Sequence, residues 1–498
     1  MAALAAATST DLEPRVTRRL PPIPVTIGVS LLLRLVFAWA LGYGVDESYA
    51  VTVARPFSLS YFDHPPLHFW MAGAMTWLSG GTTPIVVRLP FIGAFCLTLW
   101  LVADLTRRSF GESAARAATV LLAASGVLGI TSATWVLPDG PLLCASVFAV
   151  AALARVVVPD DECSPADAKM WWLLSGAGFA VAMLSKYHAV LLLGGAGLYV
   201  FSDARARRHL RTPWPWFALL LAAAGLVPTL WWNAQHDWAS FRFQGARAQA
   251  AHWSLAPFAE MLAGQIAWLL PWIVLPLVQG VRRYRGMTRV EQRARGLLLC
   301  TAAFPILAFS LIPLGGARGL PHWTAPGWLF VFPLAGAWVA ARASAPLTWP
   351  RWLAVGAIAS VCLLVLVIVH VRTDAIDRFL SPKARDQDPT RDAVSWSPAV
   401  TPADVYFARS WIQAGQVGVA IGAPAHVHCL CADPHHLAFR AAAPLRRGER
   451  GLLLERVRQR GTQPVATRLG GDSLRITLRD TVSLARGVRV ARYEVTRR

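Results

Sequence analysis

Apolar runs alternate with short polar segments through the first three quarters of the chain. They occupy 23–43, 84–103, 114–135, 138–158, 171–184, 187–201, 213–232, 257–280, 296–314, 323–340 and 352–371. Most approach the ~20 residues that cross a ~30 Å hydrocarbon core as a helix. The pattern predicts an all-α polytopic membrane protein with about eleven transmembrane helices. From 372 onward the periodicity changes. An Arg- and Pro-rich stretch gives way to short alternating pieces such as Leu474-Arg475-Ile476-Thr477-Leu478 and Val488-Arg489-Val490, which read as half-buried strands. The expected organisation is a tail at 1–22, a transmembrane unit at 23–371 with a first outer loop at 44–83 carrying amphipathic helices, and a small C-terminal α/β or β domain at 372–498.

The basic residues test this count, because Lys and Arg collect in cytoplasmic loops. Arg107/Arg108, Arg155/Lys169, the cluster at 205–211, the cluster at 282–295 and Arg342/Arg351 all fall in alternate loops, on the side of the N-terminal tail. The other side receives 44–83, the turn at Asp139, the turn at 186–188, the loop 233–252 and the turn 315–322. Arg15, Arg18 and Arg19 precede a first run too long for the core of a cleaved signal, so that run is expected to remain as the first span, with the tail in the cytoplasm. An odd number of spans then puts the C-terminal region outside.

Composition agrees with this picture. The chain is 55% hydrophobic and 15% charged, against about 25% charged in soluble domains. Its 48 Lys+Arg against 28 Asp+Glu give +20. In a soluble chain that excess would suggest nucleic acid; here inner-loop charge and anionic membrane lipids account for it, and no nucleic-acid partner is expected. Cys96, Cys144, Cys300 and Cys362 lie in apolar runs and imply no disulfide framework.

The polar residues of the outer side carry the candidate chemistry. Asp46 and Glu47 follow the first span directly, where they read either as a solvated first-turn cap or as part of a site. Tyr61-Phe62-Asp63-His64-Pro65-Pro66 and an amphipathic stretch at 68–78 continue the loop, and acids beside amphipathic helices favour a site at the water–lipid boundary. Asp139 is a lone acid at the rim of two spans, either a Pro-Asp-Gly turn or a residue facing a cavity or cation. These acids, with Asp237, are interleaved on one side with Lys186, His188, Arg247, Arg318 and His322. Arg34, midway along the first span, reads first as a structurally paired charge. In the tail, His426-Val427-His428-Cys429-Leu430-Cys431 and His435-His436 read as a zinc cluster, a disulfide or a surface group; C-x-C lacks the usual zinc spacing.

An ordered set of motifs in this chain resembles the GT-C superfamily of glycosyltransferases, nearest the family 39-like bacterial branch of aminoarabinose transferases and protein O-mannosyltransferases. The set comprises Asp46-Glu47, Tyr61 to Pro66, Arg88-Leu89-Pro90, Asp139, Leu184-Ser185-Lys186-Tyr187 and Trp231-Trp232-Asn233. The resemblance covers 23–253 well and later spans loosely. It implies sugar transfer from a polyprenyl-phosphate donor to a lipid, polysaccharide or protein acceptor on the outer face of a bacterial inner membrane, with Asp46 as the base. The chemistry agrees, since displacement at an anomeric carbon needs a carboxylate for the acceptor proton and cations for the departing phosphate. No Gly-rich nucleotide loop is present, and one base without a carboxylate nucleophile makes inversion the expected course. Catalytic candidates are Asp46, Glu47 and Asp139. Substrate-binding candidates are Lys186 first, then Arg247, His64 and the Arg318/His322 turn, with Tyr61 and Asp63 beside them. A solvated loop charge is the alternative for Arg247 and for Arg318. Glu47, Asp63 and Asp139 are candidates for holding a divalent cation, as in some members of the superfamily; no other cofactor is implied. His64 and Tyr49 stand where the aminoarabinose branch carries Lys and Arg, so the sugar is not read as aminoarabinose. The rival reading is a lipid or sugar carrier. Transporters often break helices near the bilayer centre, whereas the distinctive residues here gather at one face.

Overall fold

The computed structural model describes residues 19–497 except 127, 130, 131, 162, 163, 249–252, 283–285, 317, 318, 344–349, 423–426, 440–444, 447, 458–467, 470 and 471. Arg15, Arg18, Arg318, His426 and the side chain of Arg247 lie outside the described residues.

Helices dominate up to Thr373, and a six-stranded sheet closes the chain. Among the described residues, five helices are long and apolar enough to cross a membrane: Ile23–Ala40, Pro84–Phe110, Asp139–Val157, Arg289–Gly315 and Arg351–Thr373. Two bent pairs raise this to seven if each is one span. Trp214–Ala224 with Val227–Gln235 bends by 41°, and Leu255–Leu269 with Pro271–Gly280 by 103°. The other four expected runs are shorter, interrupted or begin among charges. They correspond to Glu112–Ala124 with Ser132–Thr134, Pro165–Ser185, Ala189–Ser202, and Ala325–Leu329 with Phe332–Ala340. Small residues let these helices approach closely: a Cβ on Gly178 would lie 2.9 Å from the Ala149 backbone, the kind of contact that replaces the hydrophobic effect between helices in lipid.

Contacts sort the loops into two ends. At one end Asp104 accepts from Arg107 at 2.9 Å, Arg108 at 3.0 Å and Arg155 at 2.5 Å. At that same end Arg205 donates to the carbonyls of Asp160 and Asp161, and Arg293 reaches Asp160 at 2.9 Å. At the other end Lys186 meets Asp139, and Ser240 donates to the Tyr61 carbonyl. The basic loops and the acid-bearing loops are therefore segregated as charge parity requires. Arg34 is buried within the first span, donating to the carbonyls of Ser30 and Ala123 at 3.0 Å with its guanidinium over the Phe95 ring. This is the structural pairing expected for it, since Ala123 lies at the negative end of its helix.

The sheet has strand order β2-β1-β3-β6-β5-β4. Its strands are β1 (Val405–Ala408), β2 (Val427–Cys429), β3 (Gly451–Arg456), β4 (Arg468–Leu469), β5 (Asp472–Ser483) and β6 (Arg489–Arg497). β1 pairs in parallel with β2 and β3, and the remaining pairs are antiparallel. Two fastenings hold this region to the helices. His370 on the last long helix contacts Asp388 at 3.1 Å, and Arg486 from the β5–β6 turn joins both Asp388 and Asp374. The second is a shared apolar core: Tyr49, Val53, Phe69 and Phe91 pack in one cluster with Trp396, Ala414, Val417 and Val490.

Gly415 sits where the Trp411–Ile421 helix meets the first-loop helix Val45–Val53. Thr52 donates to its carbonyl at 3.0 Å, and a Cβ there would lie 2.6 Å from the Tyr49 backbone nitrogen. Gly415→Ala is therefore expected to cost about 1–3 kcal/mol through overpacking, read as a lower thermal midpoint of the purified protein in detergent; an unchanged midpoint would show that the two helices are not in this contact.

Candidate active site

The first loop, 44–83, is built around one buried ion pair. Arg88, fully buried on the second long helix, makes two bonds to Glu47, at 2.8 and 2.6 Å. Its remaining donors cap the end of the first span, meeting the carbonyls of Ala38, Leu41 and Gly42 at 3.0, 2.8 and 2.7 Å. Glu47 also accepts from the backbone N–H of Gly44, which starts the Val45–Val53 helix, and of Val136, just before the Asp139 turn. With both oxygens occupied and 1% exposure, Glu47 holds the loop in place and is not part of the wall of the cavity that Asp46 lines.

Beside it, Asp46 points the other way. It lines a cavity of about 800 Å³ and makes no hydrogen bond among the described residues. Tyr49, one helical turn on, lines the same cavity and donates to Asp63, whose other oxygen meets His435. Across the cavity the Lys186 ammonium contacts both oxygens of Asp139, at 2.9 and 3.0 Å, the pair being buried. An ammonium has three donors, so one remains for a ligand. His64 and His322 lie within reach of the Asp139 charge. The lining also includes the apolar side chains of Trp268, Phe309, Ile312, Leu320 and Trp323, with Trp268 at 6.2 Å from the His322 ring and Phe309 at 4.3 Å from the His188 ring. The cavity thus combines charged groups with apolar walls, a lining suited to an amphiphile with an anionic group.

The electrostatics separate these groups. Asp46 is exposed towards the cavity, yet the protein around it thins its hydration and raises its carboxyl above the ordinary value, and the neighbouring charges of Glu47 and Asp63 add to this while His435 opposes it. Burial, then the Lys186 charge, lowers His68 to about 3 and His322 to about 4, so both are neutral at neutral pH. Burial alone would also lower His435, but its bond to Asp63 and the charges of Asp63 and Asp433 prevail and raise it.

The structure brings together Asp46, Asp63, His64, Asp139, Lys186 and His322 at one cavity. Tyr61 it places in the core, fully buried against Phe69 and His436 and off the cavity wall. Asp237 is exposed in a turn. Two cavity residues from the distant C-terminal region, Trp411 and His435, are not among the residues singled out from sequence for the site, and Tyr49, which also lines it, is named there only as standing where the aminoarabinose branch carries Arg. Only the His435-His436 pair left a trace, as part of the His/Cys group. That group contains a Cys429–Cys431 disulfide. As for a divalent cation, Glu47, Asp63 and Asp139 each already face a protein cation, Arg88, His435 or Lys186. A metal ion at any of them would meet that charge, and these residues do not form a fitting donor set.

Comparison with known proteins places this geometry. Residues 63–232 match the family model for dolichyl-phosphate-mannose-protein mannosyltransferase. The lipid A galacturonosyltransferase RgtD of Rhizobium johnstonii is 25% identical over 308 residues, covering 58% of this chain and 59% of that protein; the chain thus spans about three-fifths of the length of this relative. Crystal structures of ArnT from Cupriavidus metallidurans, in the apo state and bound to undecaprenyl phosphate, each align at a TM-score of 0.60 with 16% identity, over 94% of this chain and 97% of theirs. The resemblance to the GT-C glycosyltransferases is borne out.

The two adjacent acids are expected to behave differently on neutralisation. Glu47→Gln leaves Arg88 buried without its counter-charge, and removing one partner of a buried pair costs about 3–5 kcal/mol. Asp46→Asn breaks no bond and should leave the thermal midpoint in detergent where it is. Equal loss in both variants would refute the division between them.

Proposed function

We propose that this chain, a multi-pass membrane protein with the GT-C fold, transfers a sugar from a polyprenyl-phosphate donor to a lipid acceptor. The observation that carries the reading is the free Asp46 carboxylate, the one cavity-lining carboxylate without a hydrogen-bond partner among the described residues, set opposite the Lys186–Asp139 pair in a cavity with apolar walls. Asp46 takes the proton of the acceptor hydroxyl as that oxygen attacks the anomeric carbon. The bond from that carbon to the phosphate oxygen breaks, polyprenyl phosphate leaves, and a single displacement inverts the centre. Lys186, held by Asp139, meets the phosphate charge, and His64 and His322 add donors from the same wall. The chain crosses the membrane eleven times with 372–498 and the cavity on the outer face of a bacterial inner membrane, the side opposite the basic loops. The relative named for galacturonic acid transfer to lipid A makes a polyprenyl-phosphate uronic acid and lipid A the first pair to test.

Purified protein supplied with radiolabelled polyprenyl-phosphate sugars and acceptor should release free polyprenyl phosphate, and Asp46→Asn should lower that rate by about 10²–10⁴-fold while donor binding is kept. Lys186→Ala should weaken donor binding about tenfold or more, from a charge-assisted contact of roughly 1.5–3 kcal/mol. A carrier would move the donor without cleaving it, so binding without release under any acceptor would overturn the transferase reading.

Sidedness is tested separately. A cysteine at Leu478, exposed on β5, should react with an impermeant reagent applied to spheroplasts, and one at Arg208 should not. Labelling at Arg208 would reverse the orientation.

A further inference from the structure

His435 enters the cavity from a segment 372 residues after Asp63, held there by several contacts. Its Nδ1 meets Asp63 and its Nε2 meets Asp433 at 3.2 Å, so a carboxylate faces each ring nitrogen, an arrangement that favours the imidazolium. Trp411 packs on it at 4.6 Å between ring centroids. Next to it, the His436 backbone N–H donates to the Tyr49 hydroxyl at 2.8 Å, and the His436 ring accepts from the Phe62 N–H. Tyr49 in turn donates to Asp63. One helical turn separates Tyr49 from Asp46, which places both on one face of the Val45–Val53 helix.

We propose that His435 is a positioning residue for the transfer: by pairing with Asp63 it cancels a negative charge facing Asp46 and so lets Asp46 ionise as the base. This rests on the assignment of Asp46 above. The charged groups facing Asp46 are Glu47, Asp63, Asp139 and His435. Glu47 is neutralised by Arg88 and Asp139 by Lys186. Both of those cations belong to the helical region, so Asp63 is the acid among them whose counter-charge is delivered by the C-terminal region. The sign follows from charge alone. Without the imidazolium, the bare Asp63 carboxylate disfavours ionisation of Asp46; without Asp63, the imidazolium favours it.

The test is the pH profile of kcat in the full-length protein. In wild type the rate should fall as pH drops through a value above the ordinary 3.8 of an aspartate. His435→Gln keeps a donor near Asp63 and removes the charge; its acid limb should move up by on the order of one pH unit, with donor KM unchanged. Asp63→Asn should move the limb down, and the double variant should return towards wild type. A role confined to folding would lower kcat by the same factor at every pH, and an unmoved limb in both single variants overturns the proposal. If Asp46→Asn retains full activity, the base assignment falls and this proposal with it; if Asp46 is essential and the limbs stay fixed, only this proposal falls.

Discussion

The Arg88–Glu47 pair is the constraint on which the site depends. A buried guanidinium needs every donor satisfied, and Arg88 satisfies its own with one carboxylate and the last carbonyls of the first span. Those partners belong to the first span and the first-loop helix, while Arg88 itself belongs to the second long helix. Glu47 adds the Val136 N–H and with it the turn that leads to Asp139. A single buried pair thus fixes the angle at which the chain leaves the membrane, and Asp46 faces the cavity because its neighbour is turned into the core.

The same logic recurs along the cavity wall. Lys186 is set by Asp139 and Asp63 by His435 and Tyr49. Paired charges of this kind contribute little net stability, but removing one partner is costly. Their effect is to fix direction. Against this background Asp46, an acid with no hydrogen-bond partner among the described residues, stands out, and the neutral His68 and His322 keep the cavity from accumulating positive charge.

Much of this was legible in the sequence, because membrane burial makes polar residues rare enough to be informative. Alternating basic loops located the two ends, and the acids of 44–83, Asp139 and Lys186 pointed to one site. What the sequence concealed has physical reasons. Adjacent Asp46 and Glu47 look alike in a string, and only the direction of successive side chains on a helix separates a cavity-lining acid from a buried anchor. Tyr61 sits in a motif with Asp63 yet packs inward, since aromatic rings beside a site serve its core as readily as its wall. His435 and Trp411 were hidden by distance along the chain: no local pattern links a tail histidine to an acid in the first loop. Helix breaks were equally silent. Leu270 adopts φ 75° and turns an apolar run through 103°, although hydropathy there is continuous.

The apolar core shared by the first loop and the tail has a bearing on how the molecule comes to exist. Synthesis runs from the N-terminus, so Asp46, the Arg88–Glu47 and Lys186–Asp139 pairs and the long apolar helices are made before Trp411 and His435 leave the ribosome. Until then the wall of the cavity that they form is open, and Val53, Phe69 and their neighbours lack the surface that covers them. Completion of the cavity is thereby deferred to the end of biogenesis, when the tail packs against the loop it covers.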